Sequence, residues 1–222
     1  YEIMPSLVGS EMCIRDSLRR FSELMIQDMS SVDILASWLQ DESRFEKELS
    51  NVYKIWLEYL NPYWSENPWS RALEGKKVLV VHPFVDSIQK QYKKRAFLHK
   101  HPQTLPDFDL KTIKAVQGIG GVCNEGFKDW FDAFEYMKAE INKSNYDICI
   151  LGCGAYGFPL AAHVKRMGKK AIHMGGATQM LFGIKGKRWE DEYGEFMNEH
   201  WIRPSKEETP INAMKIENGC YW

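Results

Sequence analysis

Residues 146–176, YDICILGCGAYGFPLAAHVKRMGKKAIHMGG, constrain the fold more than any other stretch. Residues 147–151 form a short apolar run of the kind that makes a strand buried on both faces. Gly152, Gly154 and Gly157 follow in G-x-G-x-x-G spacing. A helical pattern comes next, with Pro159 near its first turn and Leu160, Ala161, Val164 and Met167 on one face. Gly168 suits a left-handed cap at its end. Residues 171–174 then read as another strand. The unit is βαβ, with glycines where the backbone turns tightly and a phosphate can approach a helix N-terminus. The alternative is a glycine turn that serves only close packing of helix on strand. A nicotinamide site wants Asp or Glu about 20 residues on, at the end of the second strand. Here that strand ends His173-Met174-Gly175-Gly176, without an acid. The pattern therefore points to a different nucleotide, or to a different part of one.

The remaining chain extends the alternation. Residues 18–29 carry helical spacing through Leu18, Phe21, Leu24 and Met25. Residues 32–35 are a short strand candidate ending at Trp38, and residues 45–60 read as mostly helical. Residues 61–70 are a loop broken by Pro62 and Pro68, pinned by Tyr63, Trp64 and Trp69. Residues 77–84, KVLVVHPF, are the clearest buried strand. Residues 86–98 read as a basic helix whose Lys90, Lys93, Lys94 and Arg95 form a solvated face. Residues 111–117 alternate as a strand, residues 118–126 are a glycine-rich connection, and residues 127–143 form an amphipathic helix with an aromatic core stripe. Strand and helix alternating in this way predict an α/β fold: a Rossmann-like parallel sheet with helices on both faces.

At 222 residues the chain is long enough for one domain with a sizeable core. Its formal net charge of −1 offers no broad attraction to nucleic acid. No apolar run reaches membrane-spanning length. Five scattered cysteines without a C-x-x-C pair fit a reducing cytoplasm and give no zinc spacing. Residues 4–17, MPSLVGSEMCIRDS, resemble a translated sequencing-adapter read and lack the basic start and long apolar centre of a signal peptide. Residues 1–17 are therefore set apart as non-native, and residues 18–222 are read as a single domain lacking its native N-terminal part.

Four blocks, VDILASW (32–38), KKVLVVHPF (76–84), LGCGAYGFPLAAHVKRMGKKAIHMGGATQMLFGIKGKRW (151–189) and ENGCYW (217–222), together resemble the bacterial GT-D fold-like family, relatives of the GT-D glycosyltransferases. The likeness covers residues 18–222. It implies a GT-D-like fold and transfer of a sugar from a nucleotide-sugar donor to a surface-glycan or glycoprotein acceptor. In GT-D glycosyltransferases an Asp-x-Glu motif near the N-terminus is associated with metal and sugar nucleotide. No matching segment occurs here, and Glu190-Asp191-Glu192 lies too near the C-terminus. The resemblance thus leaves the catalytic acid unassigned and ties any divalent cation, Mn or Mg, to a motif upstream of this chain.

Candidate ligand-binding positions follow from the rule that open parallel sheets bind ligands outside the carboxyl ends of their strands. They are Gly152, Gly154 and Gly157 in the loop; Tyr156 for stacking on a base or sugar; His173, Gly175, Gly176, Thr178 and Gln179 after the next strand; and Lys187 and Arg188, with Lys185, as phosphate clamps. His82 and Trp38 are expected at the same rim, and Trp38 and Trp189 are the tryptophans placed to face a sugar. No metal ligand set is assigned. Each position has a structural alternative: satisfied partly buried histidines, an exposed basic turn, core tryptophans. Two other functions remain open. Leu151-Gly152-Cys153-Gly154 is similar to the glycine loop of S-adenosylmethionine-dependent methyltransferases, although Ile150 and Met174 stand where that class has acids. A non-catalytic ligand-binding domain fits the missing acidic motif.

Overall fold

The computed structural model describes residues 11–118, 126–215 and 217–222. A first helix, α1 (Glu11–Met29), leads into strand β1 (Ile34–Ser37) and, after a 3-10 turn, β2 (Tyr53–Trp56). The main body then runs β3 (Lys77–His82), α2 (Val85–Tyr92), β4 (Asp109–Lys114), α3 (Trp130–Lys143), β5 (Ile148–Leu151), α4 (Gly157–Arg166) and β6 (Lys170–His173). Short helices α5 (Thr178–Leu181) and α6 (Lys187–Tyr193) and a series of 3-10 turns complete it. β3 to β6 form one parallel sheet in the order β4-β3-β5-β6. The expected α/β architecture is present, with helices on both faces.

Alternation along the strands divides the core in two. Val78, Val80, Ile148 and Ile150 face α2 and the C-terminal segment, where Ile88, Phe182 and Trp201 pack. Leu79, Val81, Cys149 and Leu151 face α3 and α4, against Phe134, Met137, Ile141, Leu160 and Val164. Both faces of β3 and β5 are buried, which is why these strands read as continuous apolar runs. Cys149 serves there as a small core residue. Gly168 caps α4 at φ +77, as its position suggested.

Several expectations need correction. Residues 45–60 are not mostly helical: Tyr53–Trp56 pair in parallel with β1 as a separate two-stranded sheet. Their Glu and Lys content favours helix, but β-branched and aromatic side chains with a partner strand decide otherwise. Glu42 reinforces that arrangement by accepting from the amides of Trp38 and Leu39, from the Ser37 hydroxyl, and by pairing with Lys54. The basic helix ends early, at Tyr92, because Gln91 and Tyr92 are drawn inward. The Gln91 amide group donates to the carbonyls of Gly183 and His200, and the Tyr92 hydroxyl meets Phe108. Lys90, Lys93 and Lys94 are exposed, as a solvated face requires. α1 begins at Glu11, inside the segment set apart as non-native. Met167 is exposed and Ala162 takes its place among the buried residues of α4. Most of the glycine-rich connection expected over 118–126 lies outside the described residues.

Candidate functional site

The strand order creates a topological switch point. From β3 the chain leaves towards the face covered by α2; from β5 it leaves towards the face covered by α4. β3 and β5 are neighbours whose connections leave on opposite faces, the topology at whose strand ends such sheets usually bind ligands. His82 ends β3 and Gly152 follows β5, so both lie at this point.

The loop glycines do two kinds of job. A Cβ on Gly152 would come within 2.6 Å of His82 Cδ2 and of Thr178 Cβ and Oγ1. Its hydrogen thus makes room for two buried side chains. A Cβ on Gly157 would collide with the His173 imidazole. Gly154 is different: it holds φ +56, with nothing within 4 Å of its Cβ direction. It is the residue that turns the chain from β5 into α4, and it faces open space. Among the described residues, none accepts a hydrogen bond from the amides of Gly154 and Ala155.

The other candidates separate. Tyr156 is buried with its ring stacked on Trp130, centroids 4.8 Å apart and planes 2° apart, so that face is taken by the protein rather than by a base or sugar. Thr178 is buried and its hydroxyl reaches Leu151 O at 3.4 Å. Gln179 is consumed by the carbonyls of Ile184 and Tyr221. Gly175 turns at φ +57, and Gly176 admits Tyr221 and Trp189 against its Cα. Trp189 is core, not a sugar platform. Arg188 pairs with Glu217 at 2.9 Å and reaches the Tyr221 hydroxyl, while Lys187 is exposed. Trp38 is exposed and directly follows β1 of the two-stranded sheet. Tyr63 and Trp69 do pin their loop, through Ala177 O and Leu60 O.

One residue of the site was missed in the sequence. Glu208, buried, receives the amides of Asp86 at 2.9 Å and Ser87 at 3.1 Å, together with the Ser87 hydroxyl. Its carboxylate therefore occupies the N-terminus of α2, a position that suits an anion. Ser205-Lys206-Glu207-Glu208 has the S-x-x-E form of a capping box and does cap its own turn. That local signal was legible. Its second role, across 122 residues of chain, was not.

Burial dominates the electrostatics. It holds the His82 imidazole down to about 3, and His99 and His173 to about 4. His82 Nδ1 accepts from the Phe84 amide at 3.0 Å, which assigns the proton to Nε2. His173 Nε2 is buried without a partner among the described residues. All three are therefore neutral in the fold. Their native values lie below the unfolded value of about 6.5, so the unfolded chain takes up protons first. The stability they contribute is fully present above about pH 6.5 and is lost as pH falls towards about 4. Each contributes a slope of up to about 1.4 kcal/mol per pH unit, roughly 4 for the three. Urea unfolding at stepped pH should show this decline, and His173→Gln should remove about a third of it. A midpoint that stays level across this range would contradict the buried neutral histidines.

Among the described residues, no group of three or more His, Cys, Asp or Glu side chains is arranged to hold a metal ion, and no helix is long and apolar enough to cross a membrane. No family model matches the chain, and no curated protein or solved structure matches it.

Proposed function

We propose that this chain binds a phosphate-bearing small molecule of the nucleotide class at the switch point between the carboxyl ends of β3 and β5, and that it does so as a nucleotide-sugar-dependent glycosyltransferase of GT-D-like fold. The observation that carries the binding is the coincidence of a switch point with the turn at Gly154, just before α4, where the amides of Gly154 and Ala155 have no acceptor among the described residues. A diphosphate leaving group gains charge as the sugar departs, and fixed N–H donors stabilise that charge without reorganising. The Nε2–H of neutral His82 is a further donor at the same point. The glycosyltransferase activity rests on the resemblance of the four sequence blocks to the GT-D fold-like family. The acceptor is then a glycan or glycoprotein. No step is assigned to a divalent cation, since the described residues hold no group of three or more His, Cys, Asp or Glu side chains that could hold one.

A non-catalytic ligand-binding domain is the second reading. It is favoured by the side chains of His82 and Thr178 over Gly152 and by Glu208 at the head of α2, which leave the Gly154 turn as the open part of the rim. Titration calorimetry against UDP, GDP, CMP and dTDP sugars, with and without manganese, tests the proposal. Saturable binding of at least one donor is expected. Sugar transfer to an acceptor separates the two readings, and no binding of any donor overturns the glycosyltransferase.

A further inference from the structure

His173 ends β6 opposite Leu151, the last residue of β5, so it stands at the same end of the sheet as Gly152 and the Gly154 turn. Its imidazole lies against the start of α4. A Cβ on Gly157, the first residue of that ten-residue helix, would come within 2.4 Å of both Cδ2 and Nε2. The ring as a whole is only partly covered, but Nε2 is enclosed and has no hydrogen-bond partner among the described residues. The other two buried neutral histidines are anchored: His82 Nδ1 by the Phe84 amide, and His99 Nε2 by the Leu181 carbonyl. His173 has no such anchor.

A buried polar atom without a partner is costly, and native folds keep few of them. An apolar ring would fill the space against Gly157 without that cost. A nitrogen kept there, beside a ligand site, is accounted for when the ligand supplies its partner. The neighbouring groups say what kind of ligand does so. The amides of Gly154 and Ala155 also lack acceptors among the described residues, and they too can only donate. The start of α4 favours negative charge. Burial keeps the His173 imidazole neutral, so one of its nitrogens carries a proton, and an acceptor at Nε2 selects the Nε2–H form. A group that meets several donors and no acceptor must be rich in acceptor oxygens. A phosphate meets that need, whereas a water or a sugar hydroxyl also brings hydrogens that find no acceptor there.

We infer that His173 is a ligand contact of this site: on binding, its ring turns about Cβ–Cγ off Gly157, and Nε2–H donates to an oxygen of the diphosphate held by the Gly154 and Ala155 amides. The inference rests on the phosphate-binding reading above and adds that the end of β6 recognises the diphosphate rather than the base or the sugar. Long-range proton–nitrogen NMR spectra of the full chain, with labelled histidine, test it against inorganic pyrophosphate, UDP and uridine. The His173 signals are identified by their loss in His173→Gln. Pyrophosphate and UDP should set His173 in the Nε2–H form and shift that nitrogen, and uridine should not. In calorimetry His173→Phe, which keeps a ring and removes both nitrogens, should weaken pyrophosphate and UDP at least about tenfold, the scale of one hydrogen bond to a charged group. His173→Gln, whose amide nitrogen reaches about as far as Nε2, should bind within about threefold of wild type. Circular dichroism confirms that each variant is folded, and the wild-type spectra decide alone if His173→Phe is not. If UDP binds while the His173 signals stay unmoved, or if His173→Phe binds as tightly as wild type, the inference fails and the phosphate-binding reading stands. An equal response to uridine also overturns it. If neither pyrophosphate nor any nucleotide binds the wild type, both fall.

Discussion

Gly152→Ala should destabilise the protein by about 3 kcal/mol, near the upper end for overpacking a closed core. The added methyl would lie within 2.6 Å of His82 Cδ2 and of Thr178 Cβ and Oγ1. Neither neighbour has room to yield. His82 ends the central strand β3 and its Nδ1 is held by the Phe84 amide. Thr178 begins α5 and is fully buried. The cost is steric, and a second variant shows it: His82→Ala combined with Gly152→Ala should recover about 1 kcal/mol or more relative to additivity, as touching residues do. Gly154→Ala should cost only about 1–2 kcal/mol, because its strain lies in the backbone at φ +56 and not in contacts. Urea unfolding measures all of these. A Gly152→Ala cost below about 0.5 kcal/mol, the size of an ordinary surface change, would mean that the imidazole and the hydroxyl do not approach the loop as described.

Glu208→Ala should cost about 3 kcal/mol, through the loss of charge-assisted hydrogen bonds at a buried helix start. Two amides and the Ser87 hydroxyl would lose their acceptor together. Glu208→Gln retains the shape and one acceptor oxygen, and should cost about half as much. The same substitution loosens the C-terminal segment, since the Glu208 carbonyl also accepts from the Trp222 indole. Arg203 holds the Trp222 carbonyl and pairs with Glu190, so the chain end is tied at several points. Quenching of tryptophan fluorescence by iodide should therefore increase in Glu208→Ala before global unfolding begins. If Glu208→Ala and wild type unfold at the same urea concentration, the carboxylate is not seated on α2.

These two residues show where sequence reasoning reached and where it stopped. The glycine at 152 was legible as a special position, but its spacing admits two causes: space for a phosphate or space for a side chain. Spacing along the chain cannot separate them, because the occupant comes from elsewhere. Here Thr178, 26 positions later, and His82, 70 positions earlier, supply it. Gly154 kept the turn-forming role that the pattern suggested. Glu208 lay in a stretch with no regular periodicity, and only its local cap could be read. Tyr156 and Trp189 stayed open between two readings for a common reason: an aromatic beside a glycine is equally suited to a ligand or to a neighbouring ring. Trp130 and Tyr221 proved to be those rings.

By itself the sequence determined the alternation of strand and helix, the burial of β3 and β5 on both faces, and the left-handed cap at Gly168. Each is set by periodicity, by apolar content or by the conformational range of one residue, all of which act over a few positions. The tertiary structure alone decided that residues 53–56 pair as a strand, that His82, Gly152 and Thr178 converge, and that Glu208 takes the head of α2. Those outcomes depend on groups distant in sequence filling the same small volume, and contacts of that kind have no local signature.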